Sequence, residues 1–242
     1  MTASLTSSTP RPRFYIAMAL FMLAVALTGF AGTFIAPLGQ GRFEAPPIVF
    51  IHGGLFFTWV LLFVVQPSLI GRGAYGLHKA LGVFGLCLAV AMAASGLGVG
   101  VWATTRDLAA GIGDVAVSTL VGTCTAMGLF LGLVIAGVAF RHRPETHKRL
   151  MLLATIAVLW PAWFRFRHYF PGVPHPEIVF AVVMADSLIL ICMLRDRLEL
   201  GRIHPVYLWV GSFIIAEHVL EAALFDSPPW RLVAYGLYDL LS

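Results

Sequence analysis

Charged side chains are scarce in this sequence. Asp, Glu, Lys and Arg make up 12% of its 242 residues, whereas a soluble domain carries about 25%. Hydrophobic residues make up 59% of the chain, and the mean hydropathy is +0.88. So few charges cannot cover an apolar core with a water-soluble surface. The composition therefore excludes an ordinary soluble domain and predicts a protein whose main partner is the lipid bilayer.

Cysteine is also rare. Cys87, Cys124 and Cys192 are the only three, and each lies within a long apolar run. An odd number of such cysteines does not indicate a disulfide framework, and we interpret them as small apolar packing residues. The basic residues lie in short loops without interleaved aromatic residues, so nucleic acid binding is not predicted.

Seven apolar runs have the length of about 20 residues that a membrane-spanning helix needs. They cover residues 14–36, 48–70, 78–102, 115–140, 149–170, 177–195 and 205–225. We therefore predict an all-α integral membrane bundle of seven transmembrane helices over residues 14–226.

Two short segments flank this bundle. Residues 1–13 are rich in Ser, Thr and Pro, which predicts a disordered tail. Residues 227–242 follow the break at Ser227-Pro228-Pro229 and are too short to span. Their apolar residues recur at helical spacing, which predicts an interfacial helix on the membrane surface; these residues are Trp230, Val233, Leu237 and Leu240.

The basic residues collect at one end of the predicted bundle. Eleven of the sixteen Lys and Arg fall there, namely Arg11, Arg13, Arg72, Lys79, Arg141, Arg143, Lys148, Arg149, Arg195, Arg197 and Arg202. Because basic loops stay in the cytoplasm, we predict a cytoplasmic N-terminus and an external C-terminus. The predicted location is the bacterial inner membrane, with multiple passes.

The seventh run contains three ionisable residues, Glu217, His218 and Glu221. At 100° per residue they fall on one face of a helix. Ionisable groups at membrane depth are costly and indicate a functional site. Asp186 and Arg165 are predicted at a similar depth in the outer half of the bilayer. We therefore predict a catalytic group of Glu217, Glu221, Asp186 and Arg165.

Three interpretations of this polar group remain open. Arg165 would neutralise Glu217 or Glu221 in a structural ion-pair network. Alternatively, a buried carboxyl group would act as a general acid on a lipophilic substrate such as an isoprenoid, in a reaction of the cyclase or isomerase type. Finally, His218, Glu221 and His52 would bind a divalent metal ion.

The leading functional hypothesis is a membrane redox protein, with haem b as the cofactor or a quinone as the partner. A haem needs axial ligands at equal depth on facing helices. His78 and His147 fit this requirement at the cytoplasmic side, and each is followed by a lysine that would meet a propionate. On the outer side, His52 would pair with His168 or His218.

The second run has a polar and aromatic face formed by His52, Phe56, Trp59, Phe63 and Gln66. Trp59 and Gln66 are candidate cofactor-lining residues beside His52, although helix packing explains such a stripe equally well.

Small residues and one proline predict how the helices pack. Glycines of the third run, and the Gly128-x-x-x-Gly132 pattern of the fourth, predict close contact between these two helices. Pro161 predicts a kink in the fifth helix. The similar openings Leu77–Leu81 and Thr146–Leu150 indicate a repeat of two-helix units.

Two stretches resemble a widespread group of uncharacterised bacterial polytopic membrane proteins. One runs from His52 through Trp59 to Gln66 and continues at His78-Lys79-Ala80-Leu81-Gly82, and the other is Arg143–Thr155, with His-Lys-Arg-Leu-Met-Leu-Leu-Ala-Thr at 147–155. The resemblance covers about residues 48–160 and implies a seven-helix fold but no activity. The His-Lys-x-Leu-Gly opening is also distantly similar to cytochrome b561-like families, which implies haem.

The seventh helix departs from that group. Glu217-His218-Val219-Leu220-Glu221 stands where the resemblance implies a Gln-Pro-Leu-Arg-like stretch. The departure predicts acidic chemistry that the resembling proteins lack.

Overall fold

The computed structural model describes residues 13–242, which form helices joined by short loops, without strands. The predicted tail at residues 1–13 lies outside the described residues except for Arg13, which begins the first helix. The all-α prediction is confirmed.

Seven helices are long and apolar enough to cross a membrane. They are α1 (Arg13–Gly39), α2 (Pro47–Gly71), α3 (Tyr75–Ala109), α4 (Asp114–Ala139), α5 (Pro144–His168), α6 (Glu177–Leu200) and α7 (Val206–Leu224). A shorter helix, α8 (Pro228–Leu241), follows. This number of spans fits a multi-pass membrane protein.

Two helices begin earlier than the apolar runs indicate. The α5 helix starts at Pro144 rather than residue 149, because proline at the first helical position has a preset φ and loses no hydrogen bond there. The α3 helix starts at Tyr75 rather than 78. As a result, His78 and His147 lie in the first turns of helices and not in loops.

Short loops join consecutive helices, so neighbouring helices run antiparallel. The loops 72–74, 140–143 and 201–205 lie at one end of the bundle, which we call the basic end. The loops 40–46, 110–113 and 169–176 lie at the other end, which we call the C-terminal end because α8 packs there.

The most buried helix is α5. In the most apolar stretch of α5, 67% of the residues are buried inside the protein. The corresponding share is at most 39% in each of the other six spanning helices. In α5, Leu152, Leu153, Ile156 and Leu159 are almost completely buried. The other helices therefore surround α5, and their remaining faces carry the exposed apolar side chains expected of a lipid-facing surface.

The predicted kink in α5 is present as a break. The α-helix ends at Ala157 and resumes at Trp160, just before Pro161, which has no backbone N–H to continue the ladder. Gly29 of α1 packs against the resumed segment. A Cβ at Gly29 would lie 2.2 Å from the carbonyl oxygen of Ala162, so only glycine permits this approach.

The predicted contact between α3 and α4 is present, but it involves different glycines from those in the GxxxG pattern. Gly96 of α3 packs on Met127, and Gly100 packs on Thr123. A Cβ at Gly128 or Gly132 would meet nothing within 4 Å. The prediction from the GxxxG pattern was therefore wrong, because small residues also occur on faces that no helix covers.

The predicted C-terminal helix is present and docks on α4. Its Ala234 is fully buried against Val117 and Val121. The Trp230 ring N–H donates to the Ser118 carbonyl at 3.0 Å. Of the predicted stripe, Trp230 and Leu237 pack against this apolar cluster, whereas Val233 and Leu240 remain exposed.

Candidate functional site

The centre of the candidate site is a hydrogen bond between α6 and α7. His218 Nδ1 lies 2.8 Å from Asp186 Oδ1. Both side chains are largely buried, and Asp186 is only 4% exposed. The other carboxylate oxygen, Asp186 Oδ2, is buried without a hydrogen-bond partner among the described residues. A carboxylate at Nδ1 orients the imidazole and directs its Nε2 into the site.

Two glutamates extend the site along α7. Glu217 Oε2 lies 3.6 Å from His218 Nε2, and Glu217 also contacts Glu221 and Thr125. The Thr125 hydroxyl of α4 donates to the Glu221 carboxylate. Gly122, about one turn away, lies beside Glu221: a Cβ there would make ordinary contact with Glu221 Oε2, at 3.5 Å.

The resulting cluster consists of Asp186, Glu217, His218, Glu221 and Thr125. Within residues 13–242, no Lys or Arg side chain makes a salt bridge to its three carboxyl groups, whose ionic contacts are both to His218. Burying several charges without partners costs several kcal/mol each. The cluster therefore groups three carboxyl groups and one imidazole without a Lys or Arg counter-charge among the described residues.

Three π-helical segments are present in the described residues: one is Ala31–Ile35 of α1, and the other two lie in the helices that supply the His–Asp pair. Residues Glu177–Met184 and Val206–Gly211 are π-helical, and they precede Asp186 and His218 respectively. A π-helical turn shifts the side chains that follow it and leaves backbone bonds strained or open, and such turns often mark functional sites. The two helices that supply the His–Asp pair are thus irregular just before the residues concerned.

Arg165 lies apart from the other predicted site residues. Its guanidinium group donates to Thr33 Oγ1 at 3.1 Å and to the Pro161 carbonyl at 2.7 Å. It also stacks on Phe30, 4.1 Å from the ring centroid. These contacts hold Arg165 between α1 and α5. It therefore does not pair with Glu217 or Glu221.

The predicted metal trio is not assembled. His52 Nδ1 lies 3.0 Å from Ser95 Oγ, and the ring packs on Gly96 of α3, whereas His218 and Glu221 face α6 and α4. Across the described chain, no three His, Cys, Asp or Glu side chains are grouped as a metal ion requires. The outer histidine pairs are also absent, because His168 is exposed at the end of α5 and His218 is bound to Asp186.

The aromatic face of α2 packs in the core. Phe56, Trp59 and Phe63 are buried. The Trp59 ring N–H donates to Thr155 Oγ1 at 3.2 Å, and the ring meets Phe130 edge-on at 4.9 Å. Packing thus accounts for Trp59. Gln66 lies apart from it, and its side-chain nitrogen donates to the His78 carbonyl at 3.3 Å.

His78 and His147 come together at the basic end. Their ring centroids are 6.3 Å apart, and the ring planes are almost perpendicular, at 88°. This pair lies at the opposite end of the bundle from the cluster of Asp186 and His218, so the two sites are separate.

Sequence reasoning missed Thr125, and it also missed a buried ion pair. Arg149 and Asp196 are at most 1% exposed and form two hydrogen bonds, of 3.0 and 2.9 Å. Both residues lie where α5 and α6 meet the basic loops, and there the sequence offers no signal that distinguishes a buried charge from a loop charge.

Comparisons with family models, with curated proteins and with solved structures find no match to this chain. The function is therefore argued from the geometry of the site.

Proposed function

We propose that this protein is a membrane-embedded acid–base enzyme of the isomerase or cyclase type, acting on a lipophilic substrate with a carbon–carbon double bond, such as an isoprenoid. One observation carries the proposal. The His218 imidazole is hydrogen-bonded to buried Asp186 at 2.8 Å and faces Glu217 at 3.6 Å, in a carboxyl cluster without a Lys or Arg salt bridge among residues 13–242.

The base in this proposal is His218. With its Nδ1–H donated to Asp186, a neutral imidazole carries its lone pair on Nε2, on the side of Glu217. The arrangement of a base held by a carboxylate is the one that general-base catalysis requires. Asp186 acts as the positioning residue, since it touches His218 and not the reacting atoms.

The acid in this proposal is the Glu217–Glu221 pair. Two neighbouring carboxyl groups that share a proton leave one of them as a carboxylic acid, which can protonate a substrate in a dry environment. Thr125 fixes Glu221 by its hydrogen bond. Glu217 lies between the base and Glu221, so we assign it the transfer to substrate.

The charge of the cluster selects the reaction class. Three carboxyl groups and one imidazole stabilise a developing positive charge and disfavour an oxyanion. In the proposed step, the Glu217 proton bonds to one alkene carbon, and the π electrons form the new C–H bond. The adjacent carbon becomes cationic. His218 then removes a proton from a neighbouring carbon, whose C–H electrons form the new double bond, so no oxidant or reductant is needed.

Two comparisons within the chain favour chemistry over a structural ion-pair network. The cation predicted for such a network, Arg165, is bound elsewhere. The ion pair of Arg149 and Asp196 shows what structural pairing looks like in this protein: both charges are buried, and the two groups satisfy each other. Asp186 instead keeps a buried oxygen without a partner.

We also propose the orientation that the positive-inside rule implies, in a bacterial inner membrane. The basic end then faces the cytoplasm, and the cluster lies in the outer half of the bilayer. Reporter fusions at residue 142 and at the C-terminus test this orientation. Activity of a periplasmic reporter at residue 142 would reverse it.

The test of the enzyme proposal is proton exchange with solvent. Membranes containing the protein are incubated in D₂O with the apolar lipid extract of the host cells, and deuterium incorporation is measured by mass spectrometry. Glu217→Gln and His218→Asn should each lower incorporation by about 10²- to 10⁴-fold, the usual contribution of general acid–base catalysis. Asp186→Asn should lower it less.

A matched control carries the same change outside the cluster. Glu177 is an exposed glutamate at the same end of the bundle, so Glu177→Gln should leave incorporation unchanged. Each variant is first checked for a monodisperse peak in size-exclusion chromatography. A well-folded Glu217→Gln variant that exchanges at the wild-type rate would refute the proposal, as would the absence of exchange in the wild type.

A further inference from the structure

A second site is present at the basic end, where His78 begins α3 and His147 begins α5. The two rings face each other at 6.3 Å and 88°. Edge-to-face aromatic contacts occur at 4.5–7 Å, so the distance alone does not establish a ligand site. The contacts of the ring nitrogens therefore decide whether the two histidines form an aromatic contact or a pair of metal ligands.

The nitrogens of His147 are arranged as in a metal ligand. Its Nδ1 lies 2.7 Å from the Gly137 carbonyl oxygen. A carbonyl oxygen only accepts, so Nδ1 carries the proton and, in the neutral ring, Nε2 carries a free lone pair. Metal-binding histidines are typically fixed in this way by a carbonyl or carboxylate on the opposite nitrogen.

His78 occupies the corresponding place on the other two-helix unit. Gln66, on the helix that precedes it, donates its side-chain N–H to the His78 carbonyl at 3.3 Å. His78 Nδ1 and Gln66 Oε1 are both buried without a hydrogen-bond partner among the described residues. Two unsatisfied polar atoms beside one imidazole indicate that the protein alone does not complete this site.

The spacing of the rings fits one metal ion between them. Two imidazoles that bind the same ion through one nitrogen each, at about 2.0–2.1 Å, have ring centroids roughly 6 Å apart. No third His, Cys, Asp or Glu joins this pair in the described part of the chain. A metal ion between the two rings would therefore need further ligands from outside the protein, and a porphyrin supplies four equatorial nitrogens.

The neighbourhood also suits a porphyrin. Gly82 lies one turn after His78 on the same face of α3, and a Cβ there would meet nothing within 4 Å. The exposed Lys79 adjoins His78, and Lys148 adjoins His147. Lys79 is available for a haem propionate, whereas Lys148 is paired with Glu145 at 2.6 Å.

We propose that His78 and His147 are the axial ligands of one non-covalently bound haem at the basic end of the bundle. This binding site does not depend on the acid–base function proposed for the cluster around His218. Either proposal can fail without the other.

The test is the absorption spectrum of the protein purified from cells supplied with a haem precursor. The wild type should show a Soret band and about one haem per chain by the pyridine haemochrome method, with a low-spin signal of two axial imidazoles in electron paramagnetic resonance. His78→Ala and His147→Ala should each lower the haem occupancy at least tenfold, and added imidazole should restore part of it.

The matched control is His142→Ala, because His142 is an exposed histidine in the loop just before α5. It should retain the wild-type spectrum. Wild-type protein that neither contains haem nor shifts the spectrum of added haemin would overturn the proposal. So would haem that persists in both alanine variants, or a zinc or copper ion, found by elemental analysis, that binds in place of haem and is lost in His78→Ala.

Discussion

Arg149 and Asp196 join α5 to α6 through a bidentate contact. Arg149 Nε lies 3.0 Å from Asp196 Oδ2, and Nη2 lies 2.9 Å from Asp196 Oδ1. The Arg149 side chain also contacts Glu145, and the backbone N–H of His204 donates to Asp196 at 3.2 Å. The pair thus fixes three segments at the basic end.

Removing one charge of this pair should be strongly destabilising. Asp196→Ala leaves the buried guanidinium of Arg149 without its main partner, which costs about 3–5 kcal/mol of unfolding free energy. Replacing both residues, as Arg149→Met with Asp196→Leu, should cost less than Asp196→Ala alone. Thermal unfolding in one detergent compares the three proteins. A double variant less stable than the single one would contradict this account.

His204 should make the loop between α6 and α7 sensitive to pH. Its Nδ1 accepts a hydrogen bond from the Val206 N–H at 3.2 Å, so the ring is neutral in the folded protein. Burial, aided by the charge of Arg149, holds the pKa of His204 below its usual 6.5. The unfolded chain therefore takes up this proton at a higher pH than the folded protein does.

The consequence is a loss of stability in weak acid. The contribution of His204 is complete above pH 6.5 and decreases as the pH falls below that value, until the folded ring is itself protonated. Melting temperatures at about pH 7.5 and about pH 5.5 measure the effect. His204→Asn, which does not titrate, should show a smaller decrease. Equal decreases in both proteins would remove His204 as the cause.

The Asp226 side chain anchors α8. It accepts hydrogen bonds from Arg231 Nε at 2.9 Å and from the Ser118 hydroxyl at 2.8 Å. These bonds, chiefly the one from Arg231, hold the pKa of Asp226 below its usual 3.8. Its contribution is therefore present above pH 3.8 and is lost only when the pH falls through the lower pKa of the folded state.

At neutral pH the same anchor can be removed by mutation. Asp226 has φ +60°, a left-handed conformation that asparagine also tolerates, so Asp226→Asn removes the charge without straining the backbone. Amide hydrogen exchange over Pro228–Leu241 should become faster. Asp239→Asn, an exposed change on the same helix, should have no effect. Unchanged exchange in Asp226→Asn would show that apolar packing alone holds α8.

The sequence predicted the helices of this fold better than it predicted which helices contact each other. Hydropathy found all seven spans, and helical spacing correctly grouped Phe56, Trp59 and Phe63 on a buried face. It also placed Glu217 and His218 together. The sequence could not determine which helix meets which, because lipid-facing and core-facing side chains are equally apolar in a membrane protein.

The errors at the site follow from that limit. Arg165 lies near the C-terminal end of the bundle, as does the cluster, but it contacts α1 and not α7. Thr125 carried no signal, because a threonine in a membrane helix usually bonds its own backbone; here its hydroxyl lies within hydrogen-bond distance of both the Gly122 carbonyl and Glu221, and its one hydrogen serves either acceptor. His78 and His147 could be paired from sequence because each opens a helix at the same end.

The contact of Gly29 with the α5 break gives a last, steric prediction. A methyl group at Gly29 would lie 2.2 Å from the Ala162 carbonyl oxygen, so α1 and α5 must separate in Gly29→Ala. Overpacking of this kind costs about 1–3 kcal/mol. Because Arg165 contacts both helices, the separation should also weaken its bond to Thr33.

Gly128→Ala is the matched change, since Gly128 also lies within a spanning helix and has nothing within 4 Å of its Cβ position. Alanine there should be neutral or slightly stabilising, because it is the better helix former by about 1 kcal/mol. Melting temperatures of the two variants in the same detergent make the comparison. If Gly29→Ala melts no lower than Gly128→Ala, the close approach of α1 to the break does not contribute to stability.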